Sequence, residues 1–163
     1  MTDASDFYRR VESDCPAFQA RVTARAVTRY YNACFRPLGI TAEQFSLLVG
    51  IGGSHEPTLA ELAARAGVDA TTLSRSVKGL ERSNLAYSHG GRGRSGKRLA
   101  LTDEGRQLME ESMTAWELAR IRLAEALGAE ASSVAGSVMS QLAIAAKNAT
   151  SAIGSETPFK AAE

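Results

Sequence analysis

The sequence predicts a mainly α (α+β) chain, with two short helices joined by a tight turn, then a basic hairpin, set between long amphipathic helices. Three observations carry this. Apolar residues recur every three or four positions along most of the chain. Two of these periodic segments are separated only by Gly67-Val68-Asp69. Two short strand-like runs, Leu85–His89 and Lys97–Leu101, flank the glycine-rich stretch Gly90 to Gly96.

The elements follow in order. Residues 1–14 are polar, with Phe7 and Tyr8 as isolated aromatics, and read as a loose arm or a short helix. Pro16 suits a first helical turn, with Asp14 just ahead of it. Ala20, Ala24, Val27, Tyr31, Cys34, Phe35 and Leu38 then share one face until Pro37 and Gly39 stop the helix. Arg21, Arg25 and Arg29 repeat every four residues on another face. Thr41 with Gln44, and Thr58 with Glu61, are capping boxes, in which a hydroxyl and a long polar side chain satisfy each other's orphan amides. Phe45, Leu48 and Ile51 are the expected buried face of the first capped helix. Leu59, Leu62 and Ala63 are that of the second, which stops at Gly67. Asp69 caps the next helix, whose core stripe is Leu73, Val77 and Leu80. Val68 is expected to plug the core beneath the turn. Asn84 tolerates the left-handed conformation that ends a helix. Thr102 caps a long helix reaching about Leu127, with Asp103 and Glu104 at the positive end of its dipole. Gly128 separates it from a last helix with Val134, Val138, Leu142, Ala145 and Ala149 on one face, before a polar tail at 154–163.

The formal net charge of +1 speaks against a polyanion partner only if charge is evenly spread, and it is not. From Arg65 to Arg98 there are eight basic and two acidic residues, a local +6, while the remainder carries −5. A local basic patch is the footprint of a polyanion binder. No stretch is apolar over the roughly 18 residues needed to span a bilayer, and the polar N-terminus lacks a secretory core. Two cysteines make no disulfide framework, so a cytoplasmic location is expected. Phosphate-loop, zinc-protease, Cys-x-x-Cys and nucleophile-elbow motifs are missing, which argues against an enzyme. His55 and His89 are the only histidines, so no metal and no cofactor are expected.

Residues 58–87, TLAELAARAGVDATTLSRSVKGLERSNLAY, have the arithmetic of a helix–turn–helix. With Leu73, Val77 and Leu80 buried, the second helix turns Ala70, Thr71, Thr72, Ser74, Arg75 and Lys78 outward. Short polar residues can reach base edges in a major groove, and Arg can bond guanine through two donors. Arg92, Arg94 and Lys97 on the hairpin tip, with Arg98, suit a minor groove or the phosphates. Double-stranded DNA is therefore the expected partner. The rival from another class is a protein-interaction module whose basic face docks an acidic partner.

The segments ITAEQFSLL, TLAELAARAGVDATTLSRSVKGLE and LALTDEG, in this order, resemble the MarR family of winged helix–turn–helix regulators over about residues 15–150. The resemblance implies a homodimer on a pseudo-palindromic operator. Its dimerisation helices are 15–39 and 103–153, and its winged DNA-binding module is 40–102. It also implies a repressor released by a small aromatic or phenolic ligand, or by thiol oxidation. Family wings carry an Asp-x-Arg pair near the tip, where this chain has Gly93 and Ser95. Cys15 is the candidate redox residue, although the resemblance aligns Ala17 with the position of the sensing thiol, and Tyr31 with its supporting tyrosine. Seven of the ten aromatics lie in the first 45 residues, as dimer core or as a pocket for an acidic aromatic ligand held by Tyr hydroxyls and an Arg. The candidate pocket residues are Phe18, Tyr30, Tyr31, His55 and Trp116.

Overall fold

The helix starts marked by local capping rules are helix starts in the structure, a computed structural model that describes residues 4–91 and 96–153. Helix α1 is Ala4–Asp14 and α2 is Pro16–Phe35, followed by a 3-10 turn at Arg36–Leu38. Helices α3 (Ala42–Gly52), α4 (Leu59–Ala66) and α5 (Ala70–Arg82) lead into strands β1 (Ala86–His89) and β2 (Arg98–Leu101). Helices α6 (Asp103–Leu127) and α7 (Ala129–Ile153) complete the order. The chain divides into two compact units, Met1–Ala119 and Arg120–Glu163.

The capping chemistry is as expected. Gln44 N–H donates to Thr41 Oγ1 at 3.1 Å, and Thr41 N–H donates to Gln44 Oε1 at 2.8 Å. Thr58 and Glu61 make the same reciprocal pair at the head of α4. Asn84 has a φ of 55°, and Leu85 N–H closes the end of α5 on the Leu80 carbonyl at 2.9 Å. Residues 4–14 take the helical alternative, with none of their side chains buried. The N-cap of α2 is Cys15, which makes no side-chain capping bond.

In the first unit, one core joins α3, α4, α5 and the hairpin. Leu47, Leu48, Ile51, Leu62, Ala63, Leu73, Val77, Leu80, Ala86, Leu99 and Leu101 are buried in it. Leu59, Leu85, Leu108 and Met109 pack on it half-buried. Strands β1 and β2 are antiparallel, pairing Ala86 with Leu101 and His89 with Arg98. Alternation therefore turns Leu99 and Leu101 inward and Arg98 outward. Tyr30 Oη donates to the Ala119 carbonyl at 2.9 Å, tying α2 to α6. Phe35 is buried and stacks on Phe45, with ring centroids 4.4 Å apart.

Three expectations are corrected. Val68 does not plug the core and is 42% exposed. Gly67 turns left-handed (φ 67°), and Val68 N–H bonds back to the Ala63 carbonyl at 3.2 Å, so the valine emerges at the rim of a groove. On α3 the fully buried positions are Leu47, Leu48 and Ile51, while Phe45 is half-buried against Phe35. On α2, Ala20 and Ala24 are exposed, although their face carries the buried Phe35.

The second unit holds the end of α6 and all of α7. Gly128, at φ 82°, separates the two helices. No residue of α7 is buried, and Val134, Val138 and Leu142 of its apolar face are exposed. None of the helices is long and apolar enough to cross a membrane, among the described residues.

Candidate nucleic-acid interface

Helix α5 is positioned from three sides. Its core stripe is buried, Asp69 caps its first turn, and Ser76 Oγ donates to Glu43 Oε1 of α3 at 3.0 Å. What this leaves facing outward is Ala70, Thr71, Arg75 and Lys78, all exposed, with Ser74 half-buried. Thr72 is exposed too, but its hydroxyl is engaged with the Asp69 carboxylate that also accepts its backbone amide. Thr72 therefore holds the helix start, leaving Thr71 and Ser74 as the short hydroxyls free of that task.

These bonds from the Thr72 side chain and then its backbone hold the Asp69 carboxyl below its ordinary value of 3.8. The stabilisation it supplies is complete above that ordinary value. It is lost as the pH falls through the lower, folded one. Asp69→Asn keeps a neutral cap acceptor, so the acid-side loss of stability below about pH 4 should become shallower. Urea unfolding across the acid range checks this, and an unchanged slope counts against the cap. Glu61 is lowered similarly, first by the Thr58 backbone amide and then by the Thr58 hydroxyl.

The basic segment sorts itself into anchored and unengaged side chains. Arg65 donates to Ser54 Oγ, and Arg98 donates to the Glu56 carbonyl at 2.9 Å. Both brace the turn between α3 and α4. Glu56 itself has a φ of 48°, and its Oε1 lies 3.4 Å from His89 Nε2, an ion-pair contact when the imidazole is protonated and not a hydrogen bond. Leu99 N–H also bonds the Pro57 carbonyl at 2.9 Å, so the hairpin base is pinned to the same turn. Arg75, Lys78, Arg82 and Lys97 are exposed and form no ion pair among the described residues. Arg92 and Arg94, with Gly93 and Ser95, lie outside the described residues. The arrangement is an unpaired basic helix face with a hairpin anchored next to it, suited to phosphates and base edges.

A cleft of about 540 Å³ opens between α2, α3 and α6. Tyr31 and Trp116 line it, with Val27, Phe35 and Phe45. The other pocket candidates lie elsewhere. Phe18 is 39% exposed on α2, Tyr30 is committed to the Ala119 carbonyl, and His55 is exposed in the turn after α3. Among the described residues the expected arginine is not in the lining, whose one ionic side chain is Glu43. Cys15 and Cys34 are both free and half-buried. Among the described residues, no group of His, Cys, Asp and Glu could hold a metal ion.

The profile of the MarR family matches residues 38–95. MosR, a transcriptional regulator of M. tuberculosis solved in complex with DNA, is 29% identical, with a TM-score of 0.71, over 83% of this chain and 99% of MosR. Residues 38–95 are thus similar to the MarR family, and the chain shares the winged-helix fold of these regulators. Less similar structures share the MarR winged-helix fold. The repressor CouR, bound to a 23-mer duplex, is 22% identical over 82% of this chain and 95% of CouR, at a TM-score of 0.71. A cysteine-to-serine mutant of E. coli MarR with operator DNA is 21% identical over 82% of this chain and 96% of that one, at 0.72. No functionally curated protein matches the sequence.

Sequence reasoning misses two parts of this site. Glu43 reads as an ordinary first-turn acid on α3, and no local pattern reveals its bond to Ser76, 33 residues away. Arg98 reads as a free wing cation, whereas the Glu56 carbonyl holds it. The positive φ at Glu56 follows Gly52-Gly53-Ser54-His55, and the one available signal is that this run is a turn by composition.

Proposed function

We propose that this protein is a DNA-binding transcriptional regulator, a homodimeric repressor of a pseudo-palindromic operator that a small aromatic ligand releases. The observation that carries the reading is the outward face of α5, where Thr71, Arg75 and Lys78 stand exposed beside an anchored hairpin and the two cations form no ion pair among the described residues. In a major groove, Arg75 reads a guanine, Thr71 and Ser74 meet base edges, and Lys78 takes a phosphate. Lys97, with Arg92 and Arg94 of the glycine-rich sequence before it, follows the backbone or the minor groove. The exposed apolar face of α7 favours dimerisation. Two recognition helices one helical turn apart, roughly 34 Å, read half-sites about 10 bp apart. MosR, CouR and MarR, each solved with DNA, support the same reading.

Selection of binding sites from random duplexes tests this and yields the operator. A palindrome should be enriched. Affinity for it should fall by about a thousandfold or more between 50 and 200 mM salt if the dimer makes six or more phosphate contacts. No enrichment, or an affinity insensitive to salt, contradicts the proposal and favours a protein-docking role for the basic face.

A further inference from the structure

We propose that the cleft takes a small aromatic cation, and that Glu43 transmits its arrival to the recognition helix. This rests on the reading of the protein as a ligand-released regulator and names the ligand class and the coupling residue.

The lining decides the class. Tyr31, Phe35, Phe45 and Trp116 wall the cleft with aromatic surface, and neither Lys nor Arg is among its lining residues. Its one ionic side chain among the described residues is the Glu43 carboxylate. An ammonium group gains both an ion pair with that carboxylate and the electron-rich faces of the rings. A carboxylate ligand of the same shape meets repulsion from Glu43 and finds no counter-charge in the lining.

Glu43 also has a second neighbour. It borders the cleft on one side and, on the other, a groove of about 400 Å³ along α3, α4 and α5. Its Oε1 accepts the Ser76 hydroxyl at 3.0 Å. Ser76 directly follows Arg75 on α5. A neutral hydroxyl is a weaker partner for a carboxylate than a cation is. An ammonium group in the cleft therefore draws Glu43 from Ser76 and removes a polar tie that orients α5 against α3. The arriving charge acts at one carboxylate, and the reading helix feels the loss of one bond. Linkage requires the converse, with DNA binding weakening the ligand by the same factor.

Trp116 lines the cleft and is the chain's only tryptophan, so its emission reports occupancy directly. The probes are 2-phenylethylammonium and phenylacetate, alike in size and opposite in charge. The ammonium probe should change Trp116 emission saturably and bind about tenfold or more tightly than phenylacetate. Glu43→Gln should bring the two probes within about threefold of each other. Saturating ammonium probe should lower operator affinity about fivefold or more. Ser76→Ala should retain probe binding while losing that effect on DNA. Equal or tighter binding of phenylacetate overturns the cation assignment, and full coupling in Ser76→Ala overturns the route through Glu43. If neither probe alters Trp116 emission, the cleft is not a site for small aromatic ligands. The effector reading then fails, and this inference falls with it.

Discussion

Gly105→Ala should destabilise the protein by about 3 kcal/mol or more, the range of severe core overpacking. Helix propensity alone predicts the opposite sign, because Ala is favoured over Gly in a helix by about 1 kcal/mol. The reason for the reversal is contact. Gly105 is buried in the first turn of α6, and a Cβ there would lie 1.9 Å from the Leu85 carbonyl oxygen and 2.9 Å from its carbon. Neither atom can move cheaply. The Leu85 carbonyl accepts Thr102 N–H at 3.3 Å, and Leu85 N–H closes the end of α5. Thr102 Oγ1 donates to the Asn84 carbonyl at 2.7 Å and accepts Gly105 N–H at 2.9 Å. The start of α6 is thus docked on the hinge between α5 and β1, and a methyl group forces the two apart. Urea unfolding measures the effect as a lower midpoint at unchanged slope. A loss under about 0.5 kcal/mol, the range of neutral surface changes, contradicts the docking.

That hinge also shows where sequence is readable and where it stops. Thr102, Asn84, Asp69 and the two capping boxes are legible because each acts on amides or carbonyls within four residues, and residue type alone fixes the chemistry. The stripe Leu73, Val77, Leu80 is legible because helical period and burial coincide. The need for glycine at position 105 is not, since its reason is a carbonyl 20 residues upstream. The cleft is still further from local rules. Tyr31, Phe45 and Trp116 meet from three helices, and seven early aromatics offer no way to tell which of them face it. Phe18 and Tyr30 are as plausible from sequence as Tyr31. Only the packing of α2 on α6 sends the Tyr30 hydroxyl to Ala119 instead. The charge pattern is legible in sum but not in parts. The +6 segment is a basic surface, yet Arg65 and Arg98 within it serve the turn between α3 and α4.

The central claim is that α5 reads base edges, and Arg75 tests it most directly. Arg75 is exposed on the outward face, two residues past Leu73 and two before Val77, and pairs with no carboxylate among the described residues. A guanidinium that bonds one guanine is worth about 1–3 kcal/mol in each half-site, so a dimer loses about 2–6 kcal/mol on Arg75→Ala. Lys78→Ala, at the position proposed to take a phosphate, should weaken all duplexes alike and shrink the salt slope. The decisive measurement is the affinity of wild type and Arg75→Ala for the selected operator and for its single-base variants, at fixed salt. The account predicts a large loss on the operator and relaxed preference at one symmetric base pair. Unchanged affinity and unchanged base preference in Arg75→Ala would contradict it.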